Sequence, residues 1–527
     1  MAKSLETLAG PLRVPAFRAL WGANIVSNIG TMMQSVGAAW LMTGLTTSTL
    51  LVGLVQTSAT LPVFLVGLLA GALADLVDRK TLLFWSQAWM LLAALTLGIL
   101  TVCGMATPWV LLGLTFAIGL GGAVSLPAWQ ASVQDIVPKP HVAAAVSLNS
   151  ISFNVARALG PALGGLVVAV AGAGAAFMVN AASFVAVLGA VAFWKPAPQP
   201  PRKLTEDIIG AVRAGFRYLL HAPRLQAPIV RAAVFNLCAA AVWPLLPLFA
   251  RDILKTEATG YGLLLGAFGL GSIVSALSVP KLRSIFRLDL ILAGGAILCA
   301  LSFVGLSQAP NLPVAMAILF FSGASWVGVL INFNVAVQTG VPAWVRGRAL
   351  AFYLLVFQGV LALDGVLWGW LAGLVGTQHC FLIAAVGLVL GLALIPFFPL
   401  VINEDINLGP PENWPYSHEG MTNDPDDGPV LVVVEFFIAA EDVEQFRELM
   451  LPLREQRLRD GARRWRLYQD MENPERFVEL FRLDSWGEHL LQHDRVTVED
   501  IEARMAVFAL HRGETRPKVR HFLGIEE

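Results

Sequence analysis

The feature that most constrains this chain is a series of long apolar runs, each close to the length that carries an α-helix through a bilayer. They lie at 17–41, 48–71, 81–103, 108–130, 145–171 and 174–194, and then at 229–250, 259–280, 288–308, 312–335, 349–375 and 379–400. A span needs about 20 mostly apolar residues. Lipid offers no partner for backbone N–H and C=O groups, so runs of this kind must close their hydrogen bonds internally as helices. The expected fold is therefore an all-α membrane protein of 12 transmembrane helices in two six-helix halves, with a different kind of domain behind it. Charge placement marks the boundary. Only 14% of residues are charged and the mean hydropathy is +0.67, yet charges are dense beyond Glu404. An ordinary soluble domain is about one-quarter charged. The chain thus divides into a first half at 1–194, a connector at 195–228, a second half at 229–400, a linker at 401–428 and a soluble domain at 429–527.

Basic residues in short loops orient the spans, because such loops stay on the inner side. Lys3, Arg13 and Arg18 precede the first run, and Arg79 and Lys80 stand in the second loop. Lys139 is in the fourth, Arg202, Lys203, Arg213, Arg217 and Arg224 in the sixth, Lys281, Arg283 and Arg287 in the eighth, and Arg346 and Arg348 in the tenth. Among the alternate loops only the one with Arg251 and Lys255 has any basic residue. Both termini are expected in the cytoplasm, and the first run is read as a span because the N-terminus lacks a signal-peptide pattern. The connector opens with the proline cluster KPAPQPPRK, which breaks a helix. It then places Ile208, Ile209, Val212, Phe216, Leu219 and Leu220 at helical spacing opposite Arg213 and Arg217. Such a helix suits the inner membrane surface.

The two halves repeat. Gln134–Ser150 (QDIVPKPHVAAAVSLNS) and Gln338–Leu354 (QTGVPAWVRGRALAFYL) share a Gln-x-x-Val-Pro turn that enters a span, and the same offset of 204 residues pairs Gln130 with Asn334. Parallel repeats are a known transporter plan.

Polar side chains inside apolar runs are costly and ask for a reason. Asn24, Asn28, Thr31 and Ser35 form one face of the first run, with Gln34 beside them. Ser322, Ser325, Trp326 and Asn332 form a face of the tenth, and Asn236 lies in the seventh. These stripes suit a watery cavity or, alternatively, hydrogen bonds between helices. Two ionisable residues stand deep in the runs, Arg157 in the fifth and Asp364 in the eleventh. A carboxylate kept from water takes up and releases protons more readily, so Asp364 is the candidate for proton coupling, against a purely structural tie. Arg157 either binds an anionic group or bridges helices. After it come Gly160, Pro161, Gly164 and Gly165, which permit close helix approach and a bend.

Several function classes drop out. No basic patch interleaved with aromatics points to nucleic acid. No GxxxxGK[ST] loop points to ATP. The four cysteines, Cys103, Cys238, Cys299 and Cys380, sit in apolar runs without metal-ligand or disulfide spacing.

With FRALWGANIVSNIGTMMQSVGAAWLM at the start, GALADLVDRK in the second loop and LNSISFNVARALGPALGG in the fifth run, the chain resembles a major facilitator superfamily transporter over residues 15–400. It is similar in particular to the bacterial branch that includes the enterobactin exporter. The resemblance implies a gating loop at Gly71, Asp75, Arg79 and Lys80, with Leu76 and Asp78 departing from the usual arginine and glycine. It also implies the exporters' helix-bending motif at Gly160, Pro161 and Gly164, and a cavity between spans one, four, seven and ten. The candidates for that cavity are Asn24, Asn28, Gln34, Gln130, Arg157, Asn236, Trp326, Asn332 and Asn334.

The soluble tail alternates as strand (VLVVVEFFI), helix (440–459), paired strands (ARRWRLYQD, ERFVELFRL), a broken helix (485–510) and a last strand (PKVRHFLG). That βαββαβ order is ferredoxin-like. Through DSWGEHLLQHDRVT it resembles the dimeric α/β-barrel domains of the antibiotic-biosynthesis-monooxygenase type. His489, His493, His511 and His521 lack a three-ligand spacing, so no metal site is assigned. The expectation is a bacterial inner-membrane secondary carrier and not an enzyme, needing no cofactor. It would export a small organic molecule such as a siderophore or drug in exchange for protons, with the tail regulating it or joining two copies; the alternatives are a membrane ligand sensor and a membrane-anchored enzyme that uses the tail.

Overall fold

The computed structural model describes residues 10–195, 208–400, 407–409 and 424–525. Lys3, Arg202, Lys203, most of the proline cluster and most of the 401–428 linker lie outside the described residues.

Helix starts follow local capping chemistry. Helix α1 (Pro15–Leu45) opens on a proline, whose missing N–H would have had no partner in the first turn. Ser48, Asp78 and Thr107 cap α2 (Thr49–Leu76), α3 (Arg79–Val102) and α4 (Pro108–Ile136) by accepting backbone N–H bonds three residues on. Helix α5 (Val142–Phe193) runs for 52 residues, interrupted only at Gly172, whose φ of 80° lies in a region open to glycine. At about 1.5 Å per residue it is more than twice the thickness of a bilayer core. The fifth and sixth apolar runs therefore lie in one helix with a break at Gly172. Next come α6 (Ile208–His221), α7 (Pro223–Ala239) and α8 (Val242–Leu248), followed by a π turn at Phe249–Ile253. The helical series then continues through α9 (Ala258–Ile285), α10 (Leu288–Ser307), α11 (Leu312–Thr339), α12 (Arg346–Val375) and α13 (Thr377–Gly391). Among the described residues, 10 helical segments are long and apolar enough to cross a membrane; α1, with its polar stripe, is not one of them.

The chain gathers in two compact bodies. The first comprises Met1–Lys203, Val230–Phe333 and Leu354–Phe397. Within it, glycines set the helix spacing. A Cβ on Gly165 would lie 2.6 Å from the Ala258 carbonyl oxygen, and one on Gly164 would lie 2.8 Å from Met33 Cα. Gly53 and Gly365 face each other so closely that neither tolerates a side chain. Thr57 and Thr49 fasten the same contact by donating to the Ala362 and Gly369 carbonyls, both at 2.7 Å.

The second body comprises Leu204–Ile229, Asn334–Tyr353 and Phe398–Glu527. Its sheet is built from β1 (Val430–Phe437), β2 (Arg464–Gln469), β3 (Arg476–Leu483) and β4 (Lys518–Leu523). The order is β2-β3-β1-β4, with every pairing antiparallel. Helix α14 (Val443–Asp460) follows β1, and α15 (Trp486–Asp494) and α16 (Val498–Ala509) follow β3. Alternation decides the faces. Val430, Val432, Val434 and Phe436 point into a core with Phe446, Leu453, Phe477, Phe481 and Trp486. The break between α15 and α16 is chemical: Thr497 and Asp500 form a reciprocal capping box that starts a new helix.

Candidate functional site

Among the candidate residues, the first body brings one group together. The Trp326 indole N–H donates to Asn236 Oδ1 at 3.0 Å. The Arg157 guanidinium lies 5.8 Å from the centre of the Trp326 ring and 4.9 Å from that of Phe153, a cation–π arrangement. Around Trp326 stand Trp243 and Phe268 at centroid distances of 5.6 and 5.7 Å, with Phe357 at 6.5 Å. Asn236 is fully buried and its amide nitrogen has no hydrogen-bond partner among the described residues. This is an aromatic-walled polar centre with a cation over it.

Asp364 is the second centre. It is 0% exposed, and neither carboxylate oxygen accepts a hydrogen bond from the described residues. Trp368, one turn further on, interacts with it but gives its indole hydrogen bond to the Leu237 carbonyl at 2.8 Å. Cys238 also lies within its electrostatic reach. A buried carboxylate without hydrogen bonds is costly when charged. Asn332 repeats the pattern in milder form. It donates to its own helix at Gly328 O, 2.7 Å away, and its oxygen has no partner among the described residues.

Other candidates are engaged elsewhere. Gln34 is buried and accepts from the Asn180 amide, and Asn28 donates to Ser152 Oγ at 3.4 Å. Both bonds tie α1 to α5. Asn24 is half-buried and Gln130 is exposed. Asn334 belongs to the second body and accepts from Gln338 at 2.5 Å. Gly160 packs on Met32, where an added Cβ would come within 2.5 Å of a side-chain carbon, and Pro161 continues the helix. In the second loop Arg79 donates to Asp135 Oδ2 at 2.5 Å and to the Ala131 carbonyl at 3.1 Å. Lys80 closes on the Trp194 carbonyl at 2.6 Å and the Ala192 carbonyl at 3.0 Å. The Asp75 side chain lies outside the described residues, while Gly71 is half-buried. Sequence reading missed Asp135. It stands in the repeated Gln-x-x-Val-Pro segment, and an acid there opposite Arg79 was the available signal.

In the second body, His489 and His493 bring their Nε2 atoms to 3.2 Å, and the His521 ring lies tilted against His489 at 4.7 Å. His511 is bound to the backbone at Phe437 and Thr515. Among the described residues no group of three or more ligating side chains is set to hold a metal ion.

Known proteins place this architecture. A Bacillus subtilis (strain 168) MFS-type transporter, YfiS, is 26% identical over 70% of this chain and 90% of its own length. The multidrug efflux pump Tap of Mycolicibacterium fortuitum is 24% identical over 76% of this chain and 98% of its own. The enterobactin exporter EntS of Escherichia coli O1:K1 is 27% identical over 63% of this chain and 80% of its own. Among solved structures, the nucleoside transporter NupG superposes with a TM-score of 0.61 over 73% of this chain and all of its own, at 13% identity. A D-xylose–proton symporter gives 0.60 over 74% of this chain and 98% of its own, at 14% identity. The sequence model of the transmembrane secretion effector family matches residues 6–527. The chain belongs to that family, and it is a multi-pass secondary transporter of the major facilitator type and not an enzyme.

Proposed function

We propose that this protein is a proton-coupled exporter that moves a small amphipathic organic molecule, of the siderophore or drug type, across the bacterial inner membrane. The observation that carries the reading is Asp364, fully buried with neither carboxylate oxygen hydrogen-bonded among the described residues. Protonation from one side would neutralise the acid, and release to the other would leave a charge the pocket cannot tolerate. Each step biases one of two conformations, which is what coupling requires. The solute centre is Arg157, Trp326 and Asn236, which offer a cation, aromatic faces and an amide. Relatives named for multidrug efflux and enterobactin export support the direction.

The rest of the reading is a 12-span layout, counting α1 and two spans in α5, with both termini cytoplasmic and the Gly71–Lys80 loop as a gate. The tail, read as ferredoxin-like and similar to the dimeric α/β-barrel type, presents an open sheet face. Leu431, Phe437, Tyr468 and Phe522 are each at least one-third exposed there, and Glu435 lies beside Arg476 and Arg520. That mixture suits a second copy of the domain.

The test is flux in sealed vesicles under an imposed pH gradient, with a panel of siderophores and amphipathic drugs. Movement of any member that collapses with the gradient and in Asp364→Asn is the expected result. Binding without movement would turn the reading toward a membrane sensor.

A further inference from the structure

The second body contains more than the tail. Helix α6 packs on α14, and three basic side chains in and just after it meet tail carboxylates. Arg224 is bidentate to Glu499, with both N···O distances 2.5 Å. His221 Nδ1 meets Glu455 at 3.0 Å. Arg217 reaches Glu488 at 3.5 Å. The hydrogen bond and charge of Glu499 push the Arg224 guanidinium further up, while burial draws that of Arg217 down. Of the two arginines that the sequence sets on the polar side of this helix, Arg217 points to a tail carboxylate.

Between these pairs sits an aromatic joint. Tyr218 is 3% exposed. Its ring meets Trp344 edge-on at 5.5 Å and lies under the Arg459 guanidinium at 5.6 Å. Trp344 in turn lies under Arg495 at 5.0 Å. The two tail arginines are themselves fixed, Arg459 by Asp460 and Asp500, and Arg495 by Glu488 and the Asp460 carbonyl. Trp344 belongs to the turn of the second Gln-x-x-Val-Pro repeat. Phe216 and Phe352 extend the same joint at 6.1 Å.

We propose that the tail is a conformational latch that holds the connector and the 341–346 turn together, so that the segments leading into α7 and α12 are released only when it opens. The joint is made to be reversible. Trp344 Nε1 and Arg217 Nε are buried in it without hydrogen-bond partners among the described residues, and Arg217 and Arg495 share one oxygen of Glu488. The Arg224–Glu499 pair is about one-third exposed, so water and salt screen it. A permanent core would satisfy those donors. The inference stands whatever solute the spans carry.

The test is amide hydrogen exchange of the full chain in lipid nanodiscs, which needs no solute. Glu499→Arg is expected to speed exchange about three- to tenfold in both 215–226 and 338–352, with β1 and β3 of the tail unchanged. The swap Arg224→Glu with Glu499→Arg is expected to restore it. Trp344→Ala, which leaves the ion pairs in place, should loosen the same two segments. Exchange that rises in only one segment, fails to rise in either variant, or is not restored by the swap would overturn the latch. Because exchange is read without transport, a failed flux assay leaves this result standing.

Discussion

Asp364 shows what a single residue can declare and what it cannot. A lone acid in an apolar run is visible in the sequence, but that it has no hydrogen bond among the described residues appears only when α12 is packed among its neighbours. Asp364→Asn keeps the volume and removes the titration. Unchanged thermal stability with loss of gradient-driven flux is expected, and full proton-driven flux in that variant would remove the acid from the coupling step. Gln34 teaches the opposite lesson. Its polarity suggested a cavity, yet it is spent on Asn180, and sequence spacing does not distinguish the two uses. A second acid has a local role. Asp470 accepts from the backbone N–H groups of Glu472 and Asn473 and from Arg476, which hold its carboxyl below the usual range. A depressed carboxylate contributes stability above its unfolded pKa and loses it as pH falls through the folded value. The β2–β3 turn should therefore show faster amide exchange than the sheet as pH drops toward that value, relative to its rate at neutral pH. Asp470→Asn should make that turn equally loose at neutral pH.

At the scale of elements, helix position was legible and helix spacing was not. Apolar length placed every run on a helix, and capping residues such as Ser48, Asp78 and Thr497 fixed starts. The separation of α2 and α12 depends on Gly53, Gly365 and Gly369 lying opposite one another, which no local pattern reveals. Gly53→Ala is expected to push these helices apart and destabilise the first body by about 1–3 kcal/mol, the usual cost of overpacking. Thermal unfolding in detergent measures it, and an unchanged transition would show that the helices can shift freely. Thr497→Ala removes one side of the capping box and should cost about 1 kcal/mol, read as a lower melting temperature of the tail.

For the whole molecule, the distribution of Lys and Arg predicts both termini on the inner side. An alkaline phosphatase fused after Glu527 should stay inactive while a fluorescent protein there should fold and shine; the reverse would invert the topology. Deleting 401–527 should leave an inserted protein with residual flux but expose Tyr218 and Trp344, which lose Arg459 and Arg495. Faster proteolysis within 208–229 is the expected signature. Loss of all flux from a stably inserted protein would mean the tail is required for transport itself.

The apolar runs, the loop charges, the repeat and the strand–helix alternation of the tail are legible in the chain alone, because hydrophobic period and turn chemistry are local and act before any tertiary contact forms. Only the tertiary structure decided that Trp326 joins Asn236 and Arg157, that Arg79 is held by Asp135, and that connector, turn and tail form one body. Those pairings join residues tens to hundreds of positions apart. Many side chains could satisfy each of them equally well in sequence, and only packing in three dimensions selects one.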